Sequence, residues 1–563
     1  TIIGVTITDA TGIPLSGASR PRIYYRKNAG AWFSQPGTNT GGTATSSTWS
    51  FTIVETDMGG VALGDVVSYF IIAQDLMPVA NVGTTPVTGT DAVSVNAVIV
   101  PPSTPKTYTI SVSLGGTYTV GSGGNFTSLT AAVNAYNTAC SLTAPVLFEL
   151  ISGSYLSETY PIAILKHPDA GPTKTLTIRP SATGIGNFSA SNDNQLIDLN
   201  GASYVTIDGR QGGVGSTGVM SIINTSTLGV AVRFINDAQH NTIRYCDIRS
   251  DNGSTASGTV FFSTAAAGGT GNDHNSIENN QIKDPSLGQE PVNAIFSLGT
   301  AGAGNDSIAI MNNNIFNYYS ATSSTAGIFA SSNNSGWTIT GNRLFQQTGA
   351  GPRVYTAATN HYGIRITSGS GYTVSNNIVG FGSVSSTGLT QMIGNSVTLA
   401  GFPTSYTVTG TAVPITYTAV SGSFDPDGTV SAIDANTVSN IAMYTSSNAS
   451  SLSGMLCGIS VTSGKVNING NTIGSTSISN SIYAATATTG GTIVGIYTNA
   501  EGTTAIQNNS IGGITASGTS NTKAAGITAI NTEGTADYTI SDNFIGNAAA
   551  GNIRMGLVLA GAS

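Results

Sequence analysis

The sequence predicts an all-β chain: a right-handed parallel β-helix, or solenoid, with an N-terminal capping helix, preceded by a small antiparallel β-sandwich. Three observations predict it. An apolar-x-x-Asn-x-apolar phrase returns down the last 320 or so residues. A small residue followed by an apolar one precedes most copies, and apolar positions alternate with Ser, Thr or Asn at period two throughout. A fixed repeat of supersecondary units that cannot bury their apolar faces alone is the mark of a solenoid.

The phrase reads Ile277, Asn280, Ile282; Ile310, Asn313, Ile315; Ile339, Asn342, Leu344; Val374, Asn377, Val379. It continues as Ile433, Asn436, Val438; Ile468, Asn471, Ile473; Ile506, Asn509, Ile511; and Ile540, Asn543, Ile545. Ile243, Cys246 and Ile248 form a first copy with Cys in place of Asn. Copies start 29 to 38 residues apart, except for a gap of 59 between Val374 and Ile433. The second signal is Ala294-Ile295, Gly327-Ile328, Gly363-Ile364, Gly458-Ile459, Gly495-Ile496 and Gly526-Ile527. Each repeat therefore carries at least two or three short strands, and no segment from 140 to 563 sustains a helical period.

Gly and Asn punctuate the strand ends, where the chain turns with positive φ. Equivalent corners stack, so the eight Asn residues from Asn280 to Asn543 are expected to bond as a ladder, with strands about 4.8 Å apart. Cys246 fills an interior corner as a small apolar group. Met392-Ile393-Gly394-Asn395-Ser396-Val397 also fits the phrase, but only 18 residues after Val374. Residues 380–432 hold either a compact coil or an inserted hairpin.

Residues 1–100 alternate differently. Ile3 to Thr8, Arg22 to Arg26, Trp49 to Ile53 and Val67 to Ala73 read as strands of a sandwich. Pro101 to Pro105 reads as part of a stiff linker, 101–106, ahead of a β-helix spanning 107–563. Within 126–139, Leu129, Ala132, Val133 and Tyr136 fall at helical spacing after Ser or Thr caps. This helix is expected to cover the unpaired edge of the first coil. Strands follow at Val146 to Leu150, Leu176 to Arg179 and Tyr204 to Asp208. Met555 to Leu559 begins a further coil without its Asn phrase, from which continuation or coverage by another molecule is expected.

Composition narrows the function. Charged residues make up 8% of 563 positions, against roughly 25% in ordinary domains. Net charge is −8 with scattered Lys and Arg, so there is no electrostatic footprint for nucleic acid or an anionic membrane. No apolar run is long enough for a membrane span. The three cysteines, Cys140, Cys246 and Cys457, support no disulfide framework, and sequons such as Asn125-Phe126-Thr127 and Asn448-Ala449-Ser450 arise by chance in such a composition. The surface suits an extracellular setting.

Parallel β-helices also host enzymes, which need paired carboxylates or a Ca²⁺-binding acidic cluster with a base. The one charged cluster is Asp208, Arg210, Asp237, His240, Arg244, Asp247 and Arg249, with Asp273 and His274 a coil on. Asp208, Asp247, Arg244 and His240 are the candidates for catalysis. Alternation puts Ile207 and Ile243 inside and Asp208 and Arg244 outside, where the charges can simply pair. Beyond 285 titratable pairs are almost absent. Asp425-Pro426-Asp427-Gly428 with Asp434 lacks an EF-hand ligand sequence and reads as a turn. Histidines and cysteines show no zinc spacing and glycines no phosphate loop, so no metal or cofactor is expected. Tyr318, Tyr319, Trp337, Phe345, Tyr355, Tyr362 and Tyr372 crowd one region and are expected mostly to pack, with sugar stacking as the minor alternative.

The run Tyr118 to Val133, followed by Leu176-Thr177-Ile178-Arg179-Pro180 and Tyr204 to Arg210, resembles the opening of pectate-lyase-like β-helix regions in large secreted surface proteins of Bacteroidota. Arg22 to Tyr25 and Tyr69 to Asp75 resemble their immunoglobulin-like modules. The resemblance covers most of the chain and implies a cell-surface protein exported by type IX secretion, although no C-terminal sorting domain is recognisable. The expected function is an extracellular structural or adhesive protein, a rigid stalk capable of head-to-tail assembly, partnered by itself, other surface proteins or glycans. The alternatives are a secreted polysaccharide lyase or glycoside hydrolase, and a trimeric phage-type spike.

Overall fold

Alternation of apolar and small polar residues produces strands, and the computed structural model arranges most of them in parallel, in-register stacks. It describes residues 2–347, 349, 351–394, 397–398, 407–408, 411–449, 454–488, 490–518, 525–546 and 552–557. The chain divides into two compact units: residues 1–113 with 138–141, and residues 114–137 with 142–563.

The front unit holds two small antiparallel sheets and a two-stranded one, Asp91–Ser94 with Ala97–Val100. Ile2–Thr8, Ser46–Phe51 and Thr38–Thr43 form one; Lys106–Thr109, Val66–Gln74, Arg22–Lys27 and Phe33–Pro36 form the other, with Val82–Thr85 also on Val66–Gln74. Their facing sides bury Ile23, Tyr25, Trp49, Phe51 and Val67. The boundary lies later than the expected linker at 101–106. Lys106–Thr109 pairs with Val66–Tyr69, so the backbone past the prolines still completes the front sheet.

The second unit is a right-handed parallel β-helix. Each coil contributes a strand to face C, then face A, then face B; these are sheets of 11, 13 and 11 strands. The first apolar residue of every Asn phrase lies on face A. Ile207, Ile243, Ile277, Ile310, Ile339, Val374, Ile433, Ile468, Ile506 and Ile540 occupy one continuous column. The second apolar residue lies on face B, and the small-apolar phrase on face C. A further sheet of six strands, face D, begins at Arg353–Tyr355 and gives the later coils a fourth side.

The small residue on face C has a steric cause. A Cβ on Gly327 would lie 2.6 Å from Leu344 Cδ2, and one on Gly458 would lie 2.8 Å from Ile473 Cγ2. Leu344 and Ile473 are the second apolar residues of the Asn phrases. The two sequence signals are therefore halves of one packing contact across the interior.

Between faces A and B the chain turns through a left-handed residue, and that residue is the one before the ladder position. Asn279, Asn312, Gly341, Asn376, Ala435, Gly470, Asn508 and Asp542 have φ between 55° and 68°. The following Asn turns inward. Asn280 donates from its backbone N–H and Nδ2 to Asn313 Oδ1 at 2.9 and 3.0 Å, and from Nδ2 to Ile243 O at 2.9 Å. The same three bonds recur at Asn313, Asn342, Asn377, Asn436, Asn471 and Asn509, with Asn543 as the last acceptor. Cys246 donates its N–H to Asn280 Oδ1 at 2.9 Å and is buried.

The long interval between Val374 and Ile433 is a single coil. Val397–Thr398 pairs antiparallel with Thr407–Val408, so a hairpin is inserted. Met392, Ile393 and Gly394 lie on face D between Arg353–Tyr355 and Met443–Tyr444, away from the Asn corner; Asn395 and Ser396 fall outside the described residues, as do Ser450, Val558 and Leu559.

The helix Leu129–Thr138 buries Leu129, Ala132, Val133 and Tyr136. Ser128 Oγ accepts from Ala131 N–H at 3.1 Å, and Glu158 accepts from the N–H groups of Leu129 and Thr130. At its other end Asn137 bonds Ala163 O and Leu165 N at 2.7 and 3.0 Å. Those atoms belong to Ile162–Leu165, the first strand of face C, so the Asn137 amide covers a free sheet edge.

Candidate functional site

In-register stacking puts an outward residue about 4.8 Å from its counterpart one coil on. That spacing pairs acids with arginines. Glu149 meets Arg179 at 2.9 Å, Asp198 meets Arg233 through two bonds of 2.9 Å, and Asp208 meets Arg244 at 3.0 Å. Each arginine sits one coil after its acid.

Asp208 is the most enclosed of the candidate residues, 1% exposed. Its Oδ1 accepts from Arg210 N–H and Nε, and its Oδ2 from Arg210 Nη2 at 2.7 Å and Arg244 Nε. Burial by itself would lift this carboxyl, but the Arg210 hydrogen bonds and the Arg244 charge hold it below the usual range. Arg210 in turn lies 4.3 Å over the Tyr245 ring, and Arg244 reaches Glu278 at 4.0 Å.

Asp247 stands on face B and is bound by Arg249, two residues along the same outward side. It lines a cleft of about 290 Å³ with Ser216, Thr217, Tyr245, Gln281 and Asn314. Asp208, Arg244 and His240 are not part of that lining. The cleft presents one carboxylate already joined to a guanidinium, together with hydroxyl and amide groups suited to hydrogen bonding.

The remaining members lie at the corner between faces C and A. Asp237 accepts from Gly271 N–H at 2.9 Å, and Asp273 from Asp306 N–H at 2.8 Å. Burial, and then the charges of Asp306 and Asp237, raise the Asp273 carboxyl. His240 and His274 stack on one another at this corner, with Tyr204 beneath.

One pair was not legible in the sequence. Arg353, 5% exposed, bonds Glu290 at 2.8 Å and Gln346 at 2.8 Å, while its Nη2 is buried without a protein partner. Titratable pairs therefore do occur beyond 285. Asp251 and Asp284 are lifted by burial and then by the Glu290 charge. Glu290 and Arg353 are 63 residues apart, so no local pattern announces them.

Among the aromatic candidates Tyr318, Trp337, Phe345, Tyr355 and Tyr372 are buried, and Tyr319 and Tyr362 are half-buried. Tyr318 and Tyr417 sandwich the buried His361, whose Nδ1 lies 2.8 Å from Thr325 Oγ1 and Tyr355 Oη. Burial and then the Arg353 charge push this imidazole down to about 3. The Asp425 loop is a turn: Asp427 N–H donates to Asp425 Oδ1 at 3.2 Å. Among the described residues no group of three or more His, Cys, Asp or Glu is placed to hold a metal.

No protein-family model matches the chain, and no curated protein matches it. Among solved structures, the Streptococcus pneumoniae surface protein and adhesin PfbA aligns over 76% of this chain and 95% of its own. Identity is 12% and the TM-score 0.32. The Yersinia enterocolitica family 28 exopolygalacturonase aligns over 90% of this chain and 86% of its own, at 8% identity and a TM-score of 0.17. The chain is a parallel β-helix protein. Neither likeness is strong enough to carry an argument about its activity.

Proposed function

We propose that this chain is an extracellular surface protein whose β-helix serves as a stiff structural or adhesive element. The observation that supports this most is the unbroken in-register column from Ile207 to Ile540, with the Asn ladder beside it. Coils that each support their neighbours resist bending, and an outer surface with several acids paired to arginines and many Ser, Thr and Asn side chains offers hydroxyl and amide groups for lateral contact. Head-to-tail self-association, contacts with other surface proteins and glycan binding belong to this reading, as does export by type IX secretion from a Bacteroidota cell.

The alternative is a polysaccharide lyase or glycoside hydrolase. Its specific place is the cleft containing Asp247, since that is the candidate carboxylate lining a cavity. Glycosidase chemistry calls for a second carboxylate across the scissile bond, and the residues lining this cleft contain no second one.

Electron microscopy of the purified chain, combined with a glycan-binding and depolymerisation screen, tests the choice. Filaments, or saturable binding without product, support the structural reading. Reducing ends or unsaturated products that disappear in Asp247→Asn overturn it.

A further inference from the structure

We propose that the ring column at the corner between faces C and A is a surface site for a divalent transition metal of zinc-like chemistry, held by the imidazoles of His240 and His274. The backbone supplies the first argument. Tyr204, His240 and His274 have φ of 58°, 56° and 56°, in the left-handed region. The same corner position is Ser307, Gly336 and Gly371 in the following coils. A ring-bearing residue there is strained relative to glycine, and three successive coils place one at that position.

The second argument is the proximity of the rings. The Tyr204 and His240 rings are 4.9 Å apart and inclined by 14°; the His240 and His274 rings are 4.9 Å apart and inclined by 6°. Both histidines are exposed, and among the described residues no hydrogen bond engages either ring. Their nitrogens are available.

Charge supplies the third. Asp273 interacts with both histidines, Asp306 with His274, and Asp237 with Asp273. None of these three acids has a salt-bridge partner among the described residues, in contrast to Asp198, Asp208 and Asp247. A bound cation would offset that concentration of negative charge. Imidazole nitrogen selects zinc-like ions over calcium or magnesium. Two Zn–N bonds of about 2.1 Å span at most about 4.2 Å, so the exposed rings must tilt toward each other, and water completes the shell.

The test uses the full chain, stripped with a chelator, in a Cys140→Ser background because Cys140 is an exposed free thiol. Calorimetric titration with zinc chloride should give one equivalent per chain. His240→Asn and His274→Asn, which keep a residue tolerant of the left-handed region, should each weaken it by about 100-fold as the chelate is lost. On the unmutated protein, zinc should protect both histidines from diethylpyrocarbonate. Undiminished binding in the double variant, no uptake at millimolar zinc, or modification unaffected by zinc would each overturn the proposal.

Discussion

Two corners of the same coils solve one backbone problem with different side chains. Between faces A and B, and in six coils also between faces C and A, the chain passes through a left-handed residue and then turns the next side chain inward. At the first corner that inward residue is Asn in eight successive coils after Cys246. At the second it is Val205, Asn241, Asn275, Ile308, Trp337 and Tyr372, and the amide ladder is two rungs long. A left-handed corner residue therefore does not require an asparagine after it. Asparagine persists where each amide has an identical neighbour to accept two donors. Once Ile308 interrupts the second column, apolar filling serves equally well.

The largest expected effect is at the amide ladders. Asn342→Ala strands the backbone N–H and Nδ2 of Asn313, both buried, and should cost about 3–5 kcal/mol in urea unfolding. Asn275→Ala, in the short column, strands the backbone N–H and Nδ2 of Asn241 in the same way and should cost about as much. A much smaller loss at Asn275 would show that the length of the ladder, not the local hydrogen bonds, sets the cost.

A second prediction contrasts buried and surface charge. Glu290→Gln leaves Arg353 uncompensated and should cost about 3 kcal/mol, whereas Asp247→Asn on the surface should cost under about 1 kcal/mol. Melting of the two variants side by side measures the contrast.

Acid sharpens the comparison between inner and outer histidines. The unfolded chain takes up a proton at His361 near pH 6.5 that the folded chain refuses until about 3. Stability conferred by the neutral buried imidazole is complete above pH 6.5 and falls with acidification toward pH 3, by about 1.4 kcal/mol per unit. His361→Phe should flatten that slope. Asp273 and Asp306, raised by burial, act oppositely: their contribution declines as pH rises from 3.8 through the folded values. A slope unchanged in His361→Phe would place the titration elsewhere.

The smallest effect concerns strain. Ala435→Gly relieves a left-handed alanine at the ladder corner and should stabilise by about 1 kcal/mol. His240→Gly should gain a similar amount less the stacking it loses. Opposite signs would show that the two corners do not impose the same backbone demand.

Much of this fold was legible because its signals are local. The Asn phrase spans six residues and marks a corner with its two flanking strands; the small-apolar phrase marks the face that packs against it. Face D was not legible, because Arg353–Tyr355, Ile441–Thr445 and Ile482–Thr486 resemble any other short apolar run. The extra strand Lys106–Thr109 lies behind prolines that read as a linker. Meetings across coils were legible only in part. Ile207 and Ile243, at equivalent places in successive coils, announce that Asp208 and Arg244 can pair, whereas Glu290 and Arg353, 63 residues apart, meet only once the register is fixed.

The hairpin between Val374 and Ile433 shows how tolerant that register is. Asn377 bonds Asn436 at 3.0 and 2.9 Å across 59 residues, while Asn313 bonds Asn342 at 3.0 and 3.0 Å across 29. The spine does not sense how much chain lies between two rungs. Such a molecule can acquire new loops by insertion without relearning how to fold, so its ornaments can diversify while its axis is inherited unchanged.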